Sequence, residues 1–425
     1  MIDGMGRRLL AITFIFALDT LAWLVLGGSI VARTGTADSL LRGRVESTWG
    51  VPQVQTSPRA DYSVMVKNRE TIEENQTRRV VEREVPSPHS LAPASSDIRT
   101  TLGLEHRRKG LLWYSTYTVD FAGDYEFRNS TVAPLETRLI LPLPAAEAMY
   151  DGLTLQVNGQ TVTPVIEKDQ AYVAATLLPN QPVRFHTAYR SQGLDKWRYS
   201  FGEKASGDKV NPVSNFHLRM NTNFSQIDFP ENTLSPTAKR EAGGGWELDW
   251  NYSNLVSGYD IAMTMPERLQ PGPLASRMSF FAPVSLFLFF FMMLVLTTLR
   301  NLELHPVNYF FLGGAFFSFH LLFAYMVDHL DVPVAFLTSA AVSVLLVASY
   351  LRVVIGTKFA FREAALAQLT YLVLFSWAFF FEGYTGLTVT IVSILTLFVV
   401  MQMTARVRWS EKFGAPVPPP LPRIS

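Results

Sequence analysis

The sequence predicts a multi-span membrane protein of mixed class: a six-helix transmembrane region with a large extracytoplasmic all-β, sandwich-like domain inserted between spans 1 and 2. Three observations carry this expectation. Residues 9–31 and 278–405 are nearly free of charge and rich in Phe, Leu and Val, whereas 32–275 reads as water-exposed chain. The second apolar stretch breaks into five runs, each long enough to cross a hydrocarbon core about 30 Å thick. The segment between the two alternates apolar and polar residues with period two, in short runs separated by turn residues.

The first span is taken as residues 1–32. Arg7 and Arg8 precede the apolar run 9–31, which exceeds the roughly 7–15 residues of a cleaved signal core and so reads as a retained signal anchor. The bundle, 276–408, contains apolar runs at 278–299, 306–327, 333–351, 364–381 and 385–405. Lys and Arg favour the cytoplasmic side of short loops. With the N-terminus inside, that side holds Arg7, Arg8, Arg300, Arg352, Lys358, Arg362, Arg406, Arg408, Lys412 and Arg423, while the outer loops hold Asp328, Asp331 and Glu382. Both termini are then cytoplasmic, and only Arg33 and Arg277, at outer membrane edges, break the pattern. The tail, 409–425, contains APVPPPLPR and reads as a disordered end or a polyproline spacer.

Within 33–275 the clearest unit is Leu153–Val165, where Asn158-Gly159 supplies the positive φ values of a two-residue type I′ hairpin turn. Further strands are expected at Leu111–Phe121, Thr137–Leu143, Ala171–Leu178, Val183–Tyr189, Asn215–Phe224, Trp246–Tyr252 and Tyr259–Met265. A short helix is expected at 37–48. Residues 67–96 have two readings: a hairpin using VMV and RVVEREV as strands, or a disordered Pro- and Ser-rich linker.

Composition excludes several functions. The 37 Lys and Arg balance 36 Asp and Glu, so there is no basic face for nucleic acid. Without cysteine there is no disulfide, thiolate metal site or Cys nucleophile. P-loop, H-E-x-x-H, G-x-S-x-G and dinucleotide-binding motifs are absent. No catalytic, cofactor-binding or metal-binding residue is assigned, and a non-enzymatic protein is expected. Two ionisable residues within spans stand out, Asp19 and His320, because such groups are costly in hydrocarbon. Counting from the inner ends of their spans separates them in depth by about 6 Å. The plainer reading is polar glue between helices, since a proton path needs more than two polar sites. Gly27-Gly28 and Gly313-Gly314 permit close helix approach, and Trp23 and Tyr325 read as interface anchors or packing residues.

Several strings resemble the CreD-type inner membrane proteins of Gram-negative bacteria. In STWGVPQVQTSP, Trp49, Gly50, Gln53 and Pro58 match a W-G-x-x-Q…P element. RRKGLLWYSTYTVDF, LSPTAKREAGGGWELDW, FEGYTGL and ARVRW are similar to further family segments in the same order. Before span three, His305, Pro306, Tyr309 and Leu312-Gly313 resemble L-H-P-x-x-Y-x-L-V-G. Proline in the first turn of a helix also explains His305-Pro306 structurally. Residues 266–280 and the Pro-rich tail depart from the family pattern. The resemblance implies a bacterial inner-membrane location and a role in envelope maintenance under stress, with no established reaction. The expected partners are the lipid bilayer and an envelope protein, lipid or cell-wall component. The alternative is a transporter or lipid-handling protein using the six spans.

Overall fold

A computed structural model describes residues 4–74, 77–109, 112–146, 148–202, 212–381 and 383–405. Glu382 and the Pro-rich tail lie outside the described residues. The chain divides into two compact units, Met1–Ser39 with Leu269–Ser425, and Leu40–Arg268.

Among the described residues, six helices are long and apolar enough to cross a membrane. They are α1 Gly4–Trp49, α2 Pro271–Leu299, α3 Pro306–Met326, α4 Val332–Val354, α5 Thr357–Phe380 and α6 Thr385–Thr404. Helices α2, α3 and α4 each carry proline in the first turn, where the missing N–H costs no hydrogen bond. At α3 the preceding residue, His305, caps the helix, its Nδ1 accepting from the Val307 amide at 3.3 Å. Aromatic rings pack within the bundle: Phe289, Phe316, Phe319 and Phe336 are fully buried, and Phe319 meets Phe336 edge-on at 5.3 Å.

Two helix boundaries differ from the sequence reading. The first helix does not close near residue 32. It runs unbroken through the 37–48 segment for 46 residues, about 69 Å. No residue before Gly50 forces a stop, and Val45 is buried along the added length. At the fifth helix the loop expected at 352–363 is shorter. α5 starts at Thr357, so Lys358 and Arg362 ride on its first turns, held by buried Phe359, Ala360 and Ala364. This helix is also irregular, with π-helical turns at Ala360–Ala364 and Leu369–Leu374 and a 3₁₀ end at Ala378–Phe380.

The second unit is β-rich. An eight-stranded sheet runs in the order Ala238–Ala242, Gly245–Val256, Pro212–Thr222, Ser95–Lys109, Leu112–Arg128, Pro182–Leu194, Tyr150–Val157, Gln160–Val162. A five-stranded sheet runs Thr77–Leu91, Arg59–Glu74, Leu135–Pro142, Gln170–Leu177, Val165–Glu167. Gln53–Thr56, Lys196–Ser200 and Ile261–Thr264 form a third, three-stranded sheet. Where a sandwich-like domain was expected, three sheets bury their inner faces in one core. That core includes Leu102, Val119 and Phe185 from the largest sheet, Leu139 and Val173 from the second, and Trp197 and Met263 from the third.

Asn158 and Gly159 have φ of 50° and 80° and join Val157 to Gln160 across a two-residue turn, as expected. Of the two readings for 67–96, the hairpin forms. Its strands pair continuously from Ala60↔Leu91 to Glu74↔Thr77. Strand Ser95–Lys109 was not expected. Its polar composition hides an alternation in which Ile98, Thr100 and Leu102 are buried.

Candidate functional site

The seam between α1 and α3 contains both intramembrane candidates. α1 turns Ile12, Asp19, Trp23, Leu26 and Ile30 inward, a helical spacing that makes one buried face. Asp19 packs against Gly313, where an added Cβ would overlap its carboxyl group. One turn on, the Trp23 ring meets Phe317 at 5.3 Å and His320 at 5.7 Å. Arg33 then donates to the Ala324 carbonyl at 3.0 Å and pairs with Asp328 at 3.2 Å. Contacts that advance together along both helices mean that α1 and α3 run parallel.

This register keeps Asp19 and His320 apart. Their levels on α3, 313 and 320, differ by two turns, about 10 Å rather than 6 Å, and the Trp23 indole packs against His320. Asp19 Oδ2, Trp23 Nε1 and His320 Nδ1 are buried without a hydrogen-bond partner among the described residues. Such groups are costly in hydrocarbon, and no direct bond joins Asp19 to His320 among the described residues. Of the two glycine pairs, an added Cβ at Gly27 would lie 3.0 Å from the Phe280 ring and Gly313 takes Asp19, while Gly28 and Gly314 face open space. Arg33, out of pattern in the sequence, is accounted for by its bond to Asp328.

A second polar cluster was not anticipated. Gln368, fully buried between the two π-helical turns of α5, donates to Ser343 Oγ at 2.9 Å, and Ser343 donates to the Ala315 carbonyl at 2.6 Å. Tyr371 shares a 2.9 Å hydroxyl bond with Thr396, and Ser285 donates to the Tyr371 carbonyl. These bonds tie α5 to α2, α4 and α6 within one stretch of helix. An uncharged Gln escapes a search for ionisable groups, although a lone amide in an apolar span was a usable signal.

The W-G-x-x-Q residues form a helix stop and a clamp. Gly50 ends α1 at φ +95°, its amide bonded to the Glu46 carbonyl at 2.9 Å. Trp49 carries the Arg107 guanidinium on its ring at 3.2 Å. The buried Gln53 side chain donates to Ser191 Oγ and to the Gln192 carbonyl, both at 2.7 Å. Near α3, Pro306 occupies the first turn, and Tyr309 is fully buried edge-on to Phe290 at 5.3 Å. Trp49, Gly50, Gln53, His305, Pro306 and Tyr309 thus each have structural work.

The β unit also holds a groove of about 1300 Å³ along the five-stranded sheet and the base of its hairpin. Its lining mixes Arg59, Asp61, Glu136 and Arg138 with Tyr62, His89 and Phe201. Tyr62 and His89 stack across the hairpin at 5.4 Å, and Arg59 pairs with Asp61 at 3.2 Å. Elsewhere in this unit, burial pushes the Tyr199 hydroxyl up to about 12, so it stays a neutral polar group in the core. Among the described residues no three His, Asp or Glu side chains gather where they would hold a metal ion.

Among solved structures, the chain is similar to a candidate nutrient-binding protein of Legionella pneumophila, at 12% identity and TM-score 0.28, covering 50% of this chain and 77% of that one. An M1 zinc metallopeptidase of Deinococcus radiodurans aligns at 11% identity and TM-score 0.26, covering 76% of this chain and 91% of that one. Scores this low carry no conclusion on fold or activity. No curated protein matches the chain significantly. The family model described as inner membrane protein CreD matches residues 5–410.

Proposed function

The chain belongs to the CreD family of inner membrane proteins, and from that premise we propose that it is a non-enzymatic envelope protein. Its β unit faces the periplasm and binds an envelope component there, supporting envelope integrity under stress. The observation that carries this reading is the groove in the β unit. It is large, and it offers both charges and aromatic faces to a ligand. The buried polar groups of the bundle, by contrast, occur as separate clusters closed by helix packing. That arrangement speaks against the transporter alternative, which needs a continuous polar route.

The orientation rests on the Lys and Arg distribution and on the parallel run of α1 and α3, which crosses both helices in the same direction. Reporter fusions at Ala60, Asp331 and Lys358 should read outside, outside and inside, and a fusion at Ser425 inside. An inside signal at Ala60 removes the periplasmic assignment.

The role itself is tested in a deletion strain. Loss of the protein should raise sensitivity to detergents and cell-wall antibiotics without loss of a metabolic reaction. A variant that fills the groove, Ala174→Trp, should reach the membrane at normal abundance and still fail to complement. Full complementation by that variant would falsify the assignment of function to the groove.

A further inference from the structure

We propose that α1 and α3 together hold one zwitterionic aminophospholipid, with an acyl chain in the cleft between them and its headgroup read by Arg33 and Asp328. This inference stands apart from the groove of the β unit and uses the membrane helices alone. A cleft of about 470 Å³ opens sideways between α1 and α3, lined by Leu18, Ala22, Val25 and Ser29 from one helix and Phe317 and Leu321 from the other. Both rows advance by about four residues, so each is a single stripe along its helix. Continuing the same step leads from Ser29 to Arg33 and from Leu321 to Tyr325. These two residues meet one helical turn beyond the last lining residues, the guanidinium lying 5.1 Å from the tyrosine ring.

The length fits one leaflet. Leu18 to Arg33 spans about 22 Å of helix, close to half of a bilayer about 40–45 Å thick including its headgroups. The walls are almost entirely apolar along that length, which suits a hydrocarbon chain, and the polar residues gather at one end.

Charge selects the headgroup. Arg33 is paired with Asp328 at 3.2 Å, so this end offers a cation and an anion side by side rather than a bare positive charge. The Arg33 side chain is still 41% exposed and the Asp328 side chain 18% exposed. An anionic headgroup would gain Arg33 and be repelled by Asp328. A phosphoethanolamine headgroup matches both, its phosphate toward Arg33 and its ammonium, a three-proton donor, toward Asp328. Phosphocholine carries the same charges without N–H donors, so it forfeits the hydrogen bonds to Asp328.

The test is native mass spectrometry of the full-length protein, exchanged into mixed micelles of phosphatidylethanolamine, phosphatidylcholine and phosphatidylglycerol with matched acyl chains. Phosphatidylethanolamine should be retained at one per chain and preferred about tenfold over each of the others. Ala22→Phe, which fills the cleft, should abolish that retention. Asp328→Asn removes the anion and should switch the preference to phosphatidylglycerol, a reversal that non-specific annular lipid would not show. Equal retention of the three lipids by the parent, or an unchanged preference in Asp328→Asn, would overturn the proposal. The headgroup switch decides the matter even if Ala22→Phe fails to fold.

Discussion

Gly50→Ala is expected to destabilise the β unit by about 3 kcal/mol. At φ +95° an L-residue is strained, and no neighbouring space relieves it. The new Cβ would lie 2.5 Å from the Gln192 carbonyl oxygen, a backbone atom of strand Pro182–Leu194. That carbonyl is also an acceptor for Gln53, so moving it aside loosens the clamp as well. For a unit of this size the melting temperature should fall by roughly 10 °C. The measurement is loss of the β signal in circular dichroism as the full-length protein is heated in detergent. Gly43→Ala is the matched control, because nothing lies within 4 Å of its added Cβ and helical alanine is favoured over glycine by about 1 kcal/mol. If both variants melt together with the parent, Gly50 is not a conformational requirement and the helix stop has another cause.

Much of this architecture was legible because its physics is local. Apolar runs long enough for a bilayer announce themselves, and Asn158-Gly159 needs no distant partner to set its φ angles. The end of α1 was less legible. A helix can continue on any sequence lacking a strong breaker; α1 ends at Gly50 with φ +95°, and the Gln192 carbonyl, far away in the chain, leaves no room there for a Cβ. Strand Ser95–Lys109 escaped for a related reason. Its neighbours Pro212–Thr222 and Leu112–Arg128 provide the burial that its polar residues do not advertise.

At the intramembrane site, residue type was readable and pairing was not. Asp19 and His320 were found as costly groups, but helix register decides what each one meets. Trp23, read as an anchor or packing residue, proves to be the packing partner of His320. Gly313, read only as a permissive small residue, is the seat of the Asp19 carboxyl. Arg33 shows the converse. In the sequence it is an exception to the charge rule, and in the structure its position follows from Asp328.

The seat on Gly313 leads to the second large effect. Gly313→Ala places a methyl group where the Asp19 carboxyl lies, so either the carboxyl rotates out of the seam or α1 moves off α3. Overpacking of this kind costs about 1–3 kcal/mol, and membrane abundance and thermal stability should both fall. Asp19→Ala removes the colliding atoms. The double variant, Asp19→Ala with Gly313→Ala, should therefore recover most of what Gly313→Ala loses, a coupling of about 1–3 kcal/mol. Additive losses would show that the two residues do not share a seat. Asp19→Asn and His320→Gln keep hydrogen-bonding capacity and shape, and they separate glue from proton chemistry. With the two groups two turns apart and Trp23 packed against His320, both variants are expected to complement a deletion strain at normal membrane abundance. An Asp19→Asn protein that folds, reaches the membrane and fails to complement would mean that the carboxyl's proton is used, and the transporter reading would then regain its footing.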